Sequence, residues 1–235
     1  MRKYLSIRCY FPGLIIILTT GLFFFSGVIF SQKDRKAEAE QMTASCIIKS
    51  FQKALDNLVD YQCVFDEYAV LDKQEETRVY KYFFKKPKLI RAEVIKGRNK
   101  GSIAFYRDGK ARGKLRGLFS FVTISLKLTD FRITNLRRDT IDKSDWLYLL
   151  EETLFCQSRG QAKLLKIDYL EGRKAYCLGL GFNPHRGFVV QLSIDADTYL
   201  PLQLEEFTTD GKLVHIIKYK DIKINQNLSE KFFNP

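Results

Sequence analysis

The residues of this chain that could do chemistry are few and dispersed. Its two histidines, His185 and His215, lie far apart in sequence, and neither belongs to an H-x-x-x-H or H-E-x-x-H pattern that would hold a metal. Asp139, Asp142 and Asp145 recur at every third position, but they lack the central glycine and distal glutamate of a calcium loop. The aspartates are typical of turns and helix caps, so the sequence predicts neither a metal nor a cofactor.

Hydrolase and phosphate-binding motifs are also missing from the sequence. Gly179 and Gly181 precede Asn183-Pro184, which indicates a strand end and a turn and not the strand-to-helix step that cradles a phosphate. No G-x-S-x-G motif occurs. We therefore predict a protein that is not an enzyme, and only chemistry built from dispersed carboxylates remains as an alternative.

The start of the chain predicts export. Positions 9–32 carry no charge, are rich in Leu, Ile and Phe, and follow three basic residues. This pattern is typical of a signal peptide or an N-terminal membrane anchor over residues 1–32, and both readings remain open. Residues 33–235 are then expected to form a single exported domain of the cell envelope or periplasm.

Composition narrows the class of partner. The chain has 235 residues, 46% of them hydrophobic and 14% aromatic, which excludes a disordered protein. Three of its twelve net positive charges lie in the leader, so the remainder carries +9 and suits an anionic partner such as lipid headgroups. Lysines and arginines among aromatic residues at 83–105 resemble a nucleic-acid surface, but export argues against that partner, and we predict none.

Four cysteines lie outside the leader: Cys46, Cys63, Cys156 and Cys177. None forms a C-x-x-C pair, so disulfides and buried thiols remain the two alternatives. Cys46 follows a loosely lipobox-like run, but charged residues at 33–40 separate it from the apolar leader. No lipidation is therefore expected there.

Hydrophobic periodicity predicts two helices among many strands. Apolar residues at steps of three and four indicate helices over 37–59 and 143–157. About ten strands that pair with their sequence neighbours fill the rest, with the clearest alternation over 121–128 and a turn over 112–117. So many antiparallel strands must curl to protect their edges. We predict a mainly β (α+β) fold, a strongly curved antiparallel sheet forming a half-open β-barrel with an N-terminal helix and a second helix as its lid.

One stretch carries a resemblance to a known family. Lys86-Pro87 is followed by the short apolar strand at Leu89-Ile90, a turn over Gly97 to Gly101, and the turn Asp108-Gly109-Lys110. This order resembles the periplasmic lipoprotein-carrier (LolA-like) family and its lipoprotein-sorting relatives. The resemblance implies the same half-barrel. It also implies a carrier or sensor that holds a lipid, or the acyl chains of a lipoprotein, in an apolar groove.

The resemblance also implies a role for Lys86, because the family's basic residue before the proline lies in the cavity and hydrogen-bonds toward the lid. The best-known members have arginine, whose planar fork a lysine lacks. The predicted groove and lid residues are Phe83, Lys86, Leu89, Ile90, Val94, Val122, Ile124, Leu126, Leu128, Trp146, Leu149 and Leu150. Two alternatives remain: a filled core with no room for a ligand, and an envelope structural or regulatory module that uses the same fold to bind a protein or peptide.

Overall fold

The structure, a computed structural model, describes residues 42–114, 122–183 and 188–235. The predicted leader at 1–32 lies outside these residues. Within the described ranges, no helix combines the length and the apolar character needed to cross a membrane.

Strands make up most of the described chain. There are eleven, and they form one antiparallel sheet. The first six are β1 Asp60–Leu71, β2 Gln74–Lys85, β3 Leu89–Lys96, β4 Ile103–Arg107, β5 Lys110–Lys114 and β6 Thr123–Leu126. The other five are β7 Ala162–Leu170, β8 Arg173–Asn183, β9 Phe188–Asp195, β10 Pro201–Phe207 and β11 Leu213–Ile224.

The strand order shows how the sheet is assembled. It runs β6-β5-β4-β3-β2-β1-β11-β10-β9-β8-β7, so two meanders meet where β1 pairs with β11. This pairing was not expected from sequence neighbours alone. The sheet is curved and open, and the predicted half-open barrel is confirmed.

Two α-helices pack on the sheet in the described chain, α1 Ala44–Asp56 and α2 Trp146–Ser158. Each begins at a side-chain cap: Thr43 Oγ1 accepts from the Cys46 N–H, and Asp145 accepts from two N–H groups of the first turn of α2. The apolar stripe of α1 is buried through Ile47, Ile48, Phe51 and Leu55. Part of the longer helix predicted at 37–59 falls at 37–41, outside the described residues.

The turn predicted over 112–117 is wrong at its start, because residues 112–114 belong to β5. Gly113 pairs with Ala104 on one side and Ile124 on the other. A Cβ atom at this glycine would lie 2.7 Å from Cδ1 of Leu126, so the missing side chain makes room for its neighbour. The alternation over 121–128 predicts a longer strand than the observed β6, which is Thr123–Leu126.

The four described cysteines are free thiols. Cys46 is exposed, whereas Cys63, Cys156 and Cys177 are buried. Burial raises the pKa of the Cys156 and Cys177 thiols, so both are held in the uncharged form.

The C-terminal segment covers part of the outer, convex face. Phe232, in a 3₁₀ turn, packs edge-on against Phe83 with ring centroids 4.8 Å apart. The Arg91 guanidinium lies 4.1 Å from the Phe232 ring centroid and donates to the Phe232 carbonyl. Phe233 is buried. The last residues therefore close a second, smaller apolar cluster on the side of the sheet away from the helices.

An aromatic stack joins α2 to the middle of the sheet. Trp146 lies parallel to Tyr61, with centroids 3.8 Å apart and planes 6° apart, and Tyr61 also stacks on Phe84 at 5.1 Å. All three rings are at most 1% exposed. Aromatic pairs of this kind contribute stability beyond that of the apolar area they bury, so this stack fixes α2 on the sheet.

We expect Trp146→Ala to lower the free energy of unfolding by about 3–5 kcal/mol, since it removes a fully buried aromatic ring. The matched control is Phe155→Ala on the same helix, where the ring is 36% exposed and the Arg159 guanidinium lies over it. Its expected cost is about 1 kcal/mol or less. Urea unfolding followed by circular dichroism measures both, and equal costs would contradict the structural role of the stack.

Candidate functional site

A cavity of about 160 Å³ lies between the concave face of the sheet, α2 and the segment that precedes α2. Its wall is largely apolar and is contributed by both meanders. The apolar lining includes Phe65, Ala92, Val94, Ala104, Leu126, Leu149, Leu180, Val190, Leu204 and Ile217. The curvature of the sheet thus leaves a space that α2 does not fill.

The concave face changes from aromatic to polar along β1. Its inward residues run Tyr61, Cys63, Phe65 and then Glu67, because side chains of one parity share a face. The partner positions on β2 change in the same way, and Arg78 lies opposite Glu67. One end of the cavity is therefore built from buried charged groups.

His215 on β11 is the centre of this polar end. Its Nε2 lies 3.0 Å from Oε1 of Glu67, and its Nδ1 lies 3.4 Å from Oε1 of Glu206 on β10. Asn135 donates from Nδ2 to Glu67 Oε1 at 2.7 Å and to Asp139 Oδ2 at 2.9 Å. We call Glu67, Asn135, Asp139, Glu206 and His215 the polar cluster.

The polar cluster and its neighbours bind a strap, residues 130–140, to the sheet. Arg78 donates to the Thr134 carbonyl at 3.0 Å, and Glu76 accepts from the Leu136 N–H at 2.9 Å. Arg137 pairs with Glu206 at 2.7 Å. Strap residues also line the cavity, so these contacts determine where its wall lies.

The polar cluster shifts the pKa of its own members. Burial acts to lower the pKa of His215, but hydrogen bonds with Glu206 and Glu67 outweigh it and raise the pKa to about 9. Burial acts to raise the pKa of Glu67, but the hydrogen bond and charge of His215, together with the hydrogen bonds from Asn135 and Tyr80, outweigh that effect and lower it. At neutral pH the ring is therefore an imidazolium between two carboxylates.

Three members of the polar cluster could hold a metal ion. Glu67, Asp139 and His215 each offer one donor atom, and these atoms lie within 4.8 Å of one another. Sequence spacing could not reveal this set, because the three residues come from β1, the strap and β11. The available signal was a charged residue, Glu67, in the inward phase of a strand that otherwise points apolar side chains inward.

The structure divides the predicted groove residues into several groups. Val94, Leu126 and Leu149 line the cavity. Ile90, Trp146 and Leu150 are buried in the core and do not line the cavity, and Leu128 packs on that core. Ile124 is half-buried, and Val122 is 39% exposed.

Phe83 and Leu89 lie on the opposite face of the sheet from the cavity. The register pairs Phe84 with Ile90 on the concave side, so the neighbouring positions face outward. Both outward residues are nevertheless apolar, because the C-terminal segment packs over this region.

Lys86 lies at the end of α1 and does not line the cavity. Its Nζ donates to the carbonyl of Leu55 at 2.7 Å and to that of Asp56 at 3.1 Å. A cation at this position satisfies carbonyls that have no partner within the helix and complements the helix dipole. The lysine thus links β2 to the first helix by a point charge.

Comparison with known proteins shows which solved structures share this architecture. No family model matches the sequence, and a search of curated proteins finds no match. Among solved structures, an uncharacterized conserved protein from Thermus thermophilus aligns with a TM-score of 0.53 at 16% identity, covering 82% of this chain and 93% of that one. The fold is LolA-like.

Two further structures align over the same region. MucB aligns with a TM-score of 0.50 at 17% identity, covering 82% of this chain, and the chain spans 62% of the length of MucB. A LolA superfamily protein from Nitrosomonas europaea aligns with a TM-score of 0.38 at 15% identity, covering 83% of this chain and 98% of that one. At these identities, the similarity concerns the LolA-like fold alone.

We expect stability to depend on pH through His215. Because the pKa of His215 is higher in the folded state, its protonation contributes to the stability of the fold. This contribution is fully present below the unfolded-state pKa of about 6.5 and is lost as pH rises through the folded-state pKa of about 9. The free energy of unfolding of the wild type should therefore fall between about pH 6.5 and 9.5 more steeply than that of His215→Gln. Urea unfolding at a series of pH values measures the difference, and parallel curves would contradict it.

Proposed function

We infer that this protein is a non-enzymatic carrier or sensor of the cell envelope that binds the acyl chain of a lipid or lipoprotein in the cavity. The observation that carries the proposal is the cavity of about 160 Å³ with its largely apolar wall. A single water needs only about 10–15 Å³ on such a scale, so the space exceeds that of a trapped water. Each methylene moved there from water contributes about 0.8 kcal/mol.

The polar end of the cavity supports an amphiphilic ligand. An acyl chain can lie along the apolar wall near Val94 and Leu126 while its head lies toward the polar cluster. Most small-molecule sites combine a mainly apolar lining with a few fixed polar groups in this way. The apolar wall gives affinity with little selectivity among chains.

The sequence supports an envelope location. The uncharged run at 9–32 behind three basic residues is the pattern of an exported or membrane-anchored protein. The net charge of +9 outside that leader favours approach to anionic headgroups. A carrier that exchanges lipid with a membrane has a use for both features.

The second candidate is a module that binds a protein or peptide partner. Its support is the similarity to MucB, which is also known from a structure of the Pseudomonas aeruginosa MucA/MucB complex. Such a module does not require an acyl ligand. Binding of an acyl probe therefore separates the two candidates.

We expect the folded full-length chain to bind a fluorescent fatty acid saturably. Ala104→Phe, which fills the cavity without adding charge, should weaken this binding at least about tenfold, equivalent to roughly 1.4 kcal/mol. The matched control, Val122→Phe, introduces the same ring at a position that does not line the cavity and should bind like the wild type. Fluorescence titration measures all three.

The same variants separate an open cavity from a filled core. A phenylalanine added to open space should change stability little, whereas overpacking a filled core costs about 1–3 kcal/mol. A strongly destabilised Ala104→Phe together with a wild type that does not bind the probe would refute the carrier and favour the second candidate.

A further inference from the structure

We propose that Glu67, Asp139 and His215 form a binding site for a divalent transition-metal ion, best matched by Zn²⁺, at the polar end of the cavity. The three side chains come from β1, the strap and β11, so the folded chain brings them together from distant parts of the sequence. The proposal concerns the ion alone and does not depend on acyl binding.

The separation of the donor atoms suits such an ion. Zinc bonds to nitrogen and oxygen of about 2.0–2.2 Å place neighbouring ligand atoms roughly 3.3–3.6 Å apart in a tetrahedron. Nε2 of His215 is already 3.0 Å from Oε1 of Glu67. All three donor atoms lie within 4.8 Å, so rotation of the Asp139 side chain on the strap can close the site.

Burial and access also fit. Glu67 is 6% exposed and His215 is 3% exposed, so an ion bound between them would be largely shielded from bulk water. Both residues line the cavity, as does Asp139, so an ion can reach them through it. The cavity side leaves a coordination position open to water, as in zinc sites with three protein ligands.

The groups around the three ligands form the usual second layer of a metal site. A ligating histidine normally directs its other ring nitrogen at a carboxylate, and here Nδ1 of His215 faces Glu206 at 3.4 Å. Arg137 holds that carboxylate in turn. The other oxygen of Glu67, Oε2, accepts from the Tyr80 hydroxyl at 3.1 Å, which fixes the rotamer that points Oε1 at the histidine.

Asn135 occupies the place that the ion would take. Its amino group donates to Glu67 at 2.7 Å and to Asp139 at 2.9 Å, so a positively polarised group already lies between the two carboxylates. An arriving ion displaces this group, and the proton of His215 Nε2 leaves to solvent as the ring nitrogen binds.

The mixed donor set selects among ions. Ca²⁺ and Mg²⁺ prefer oxygen ligands only, and Ca²⁺ takes about six to eight of them. An imidazole nitrogen with two carboxylates suits Zn²⁺ and its transition-metal neighbours better. We therefore expect Zn²⁺ to bind at this site, and we expect that Ca²⁺ and Mg²⁺ will not displace it.

The test titrates Zn²⁺ into chelator-treated full-length protein by calorimetry. The expected result is one ion per chain. Asp139→Asn should weaken Zn²⁺ binding at least about tenfold, because it removes a ligand. Glu206→Gln should weaken it by about 10–100-fold, because it removes the carboxylate that orients His215. The matched control is Asp130→Asn, a strap carboxylate paired with Arg132 outside the polar cluster, which should bind like the wild type.

Two outcomes would overturn the site: no saturable Zn²⁺ binding by the folded wild type, or an affinity in Asp139→Asn equal to that of the wild type. His215→Gln is a second variant, and circular dichroism establishes whether it folds. If it does not, Asp139→Asn, on the strap and partly exposed, decides alone. The visible absorption spectrum of the Co²⁺-loaded Asp139→Asn variant should also differ from that of the Co²⁺-loaded wild type, whereas the spectrum of Asp130→Asn should match the wild type.

Discussion

The pairing of β1 with β11 is the contact on which the rest of the structure depends. It joins two meanders that are otherwise complete in themselves, and its register runs from Tyr61 opposite Ile224 to Ala69 opposite His215. The cavity draws its wall from both sides of this junction, and so does the polar cluster. If this pairing were lost, each meander would have an exposed edge and half of a binding site.

Much of the fold could be predicted from sequence because alternation and turn residues are local signals. The curved sheet, both helices and most strand positions follow from them. The β1–β11 pairing could not, since no local pattern states which distant strand an edge will meet. Strand β5 was missed because Arg112 and Gly113 resemble turn residues, whereas the glycine is needed to seat the Leu126 side chain.

The site was predicted only in part, for a reason visible in β2. Phe83 and Phe84 are adjacent and both apolar, so composition does not say which one faces inward. The structure turns Phe84 to the helices and Phe83 to the C-terminal segment, because both faces of this strand are covered. Val94, Leu126 and Leu149 line the cavity, whereas Val122, Ile124, Leu128 and Leu150, which were predicted with them, do not. The polar cluster depends on tertiary contacts that no spacing reveals.

The position of the C-terminal segment bears on the timing of folding. Phe232 and Phe233 cover the outside of β2 and β3, and β11 completes the sheet beside β1, so the earliest strand waits for a late part of the chain. Contacts between such distant segments form slowly, since a long loop must close before they stabilise anything. The sheet can therefore be completed only once β11 and the segment behind it are free to pair and pack.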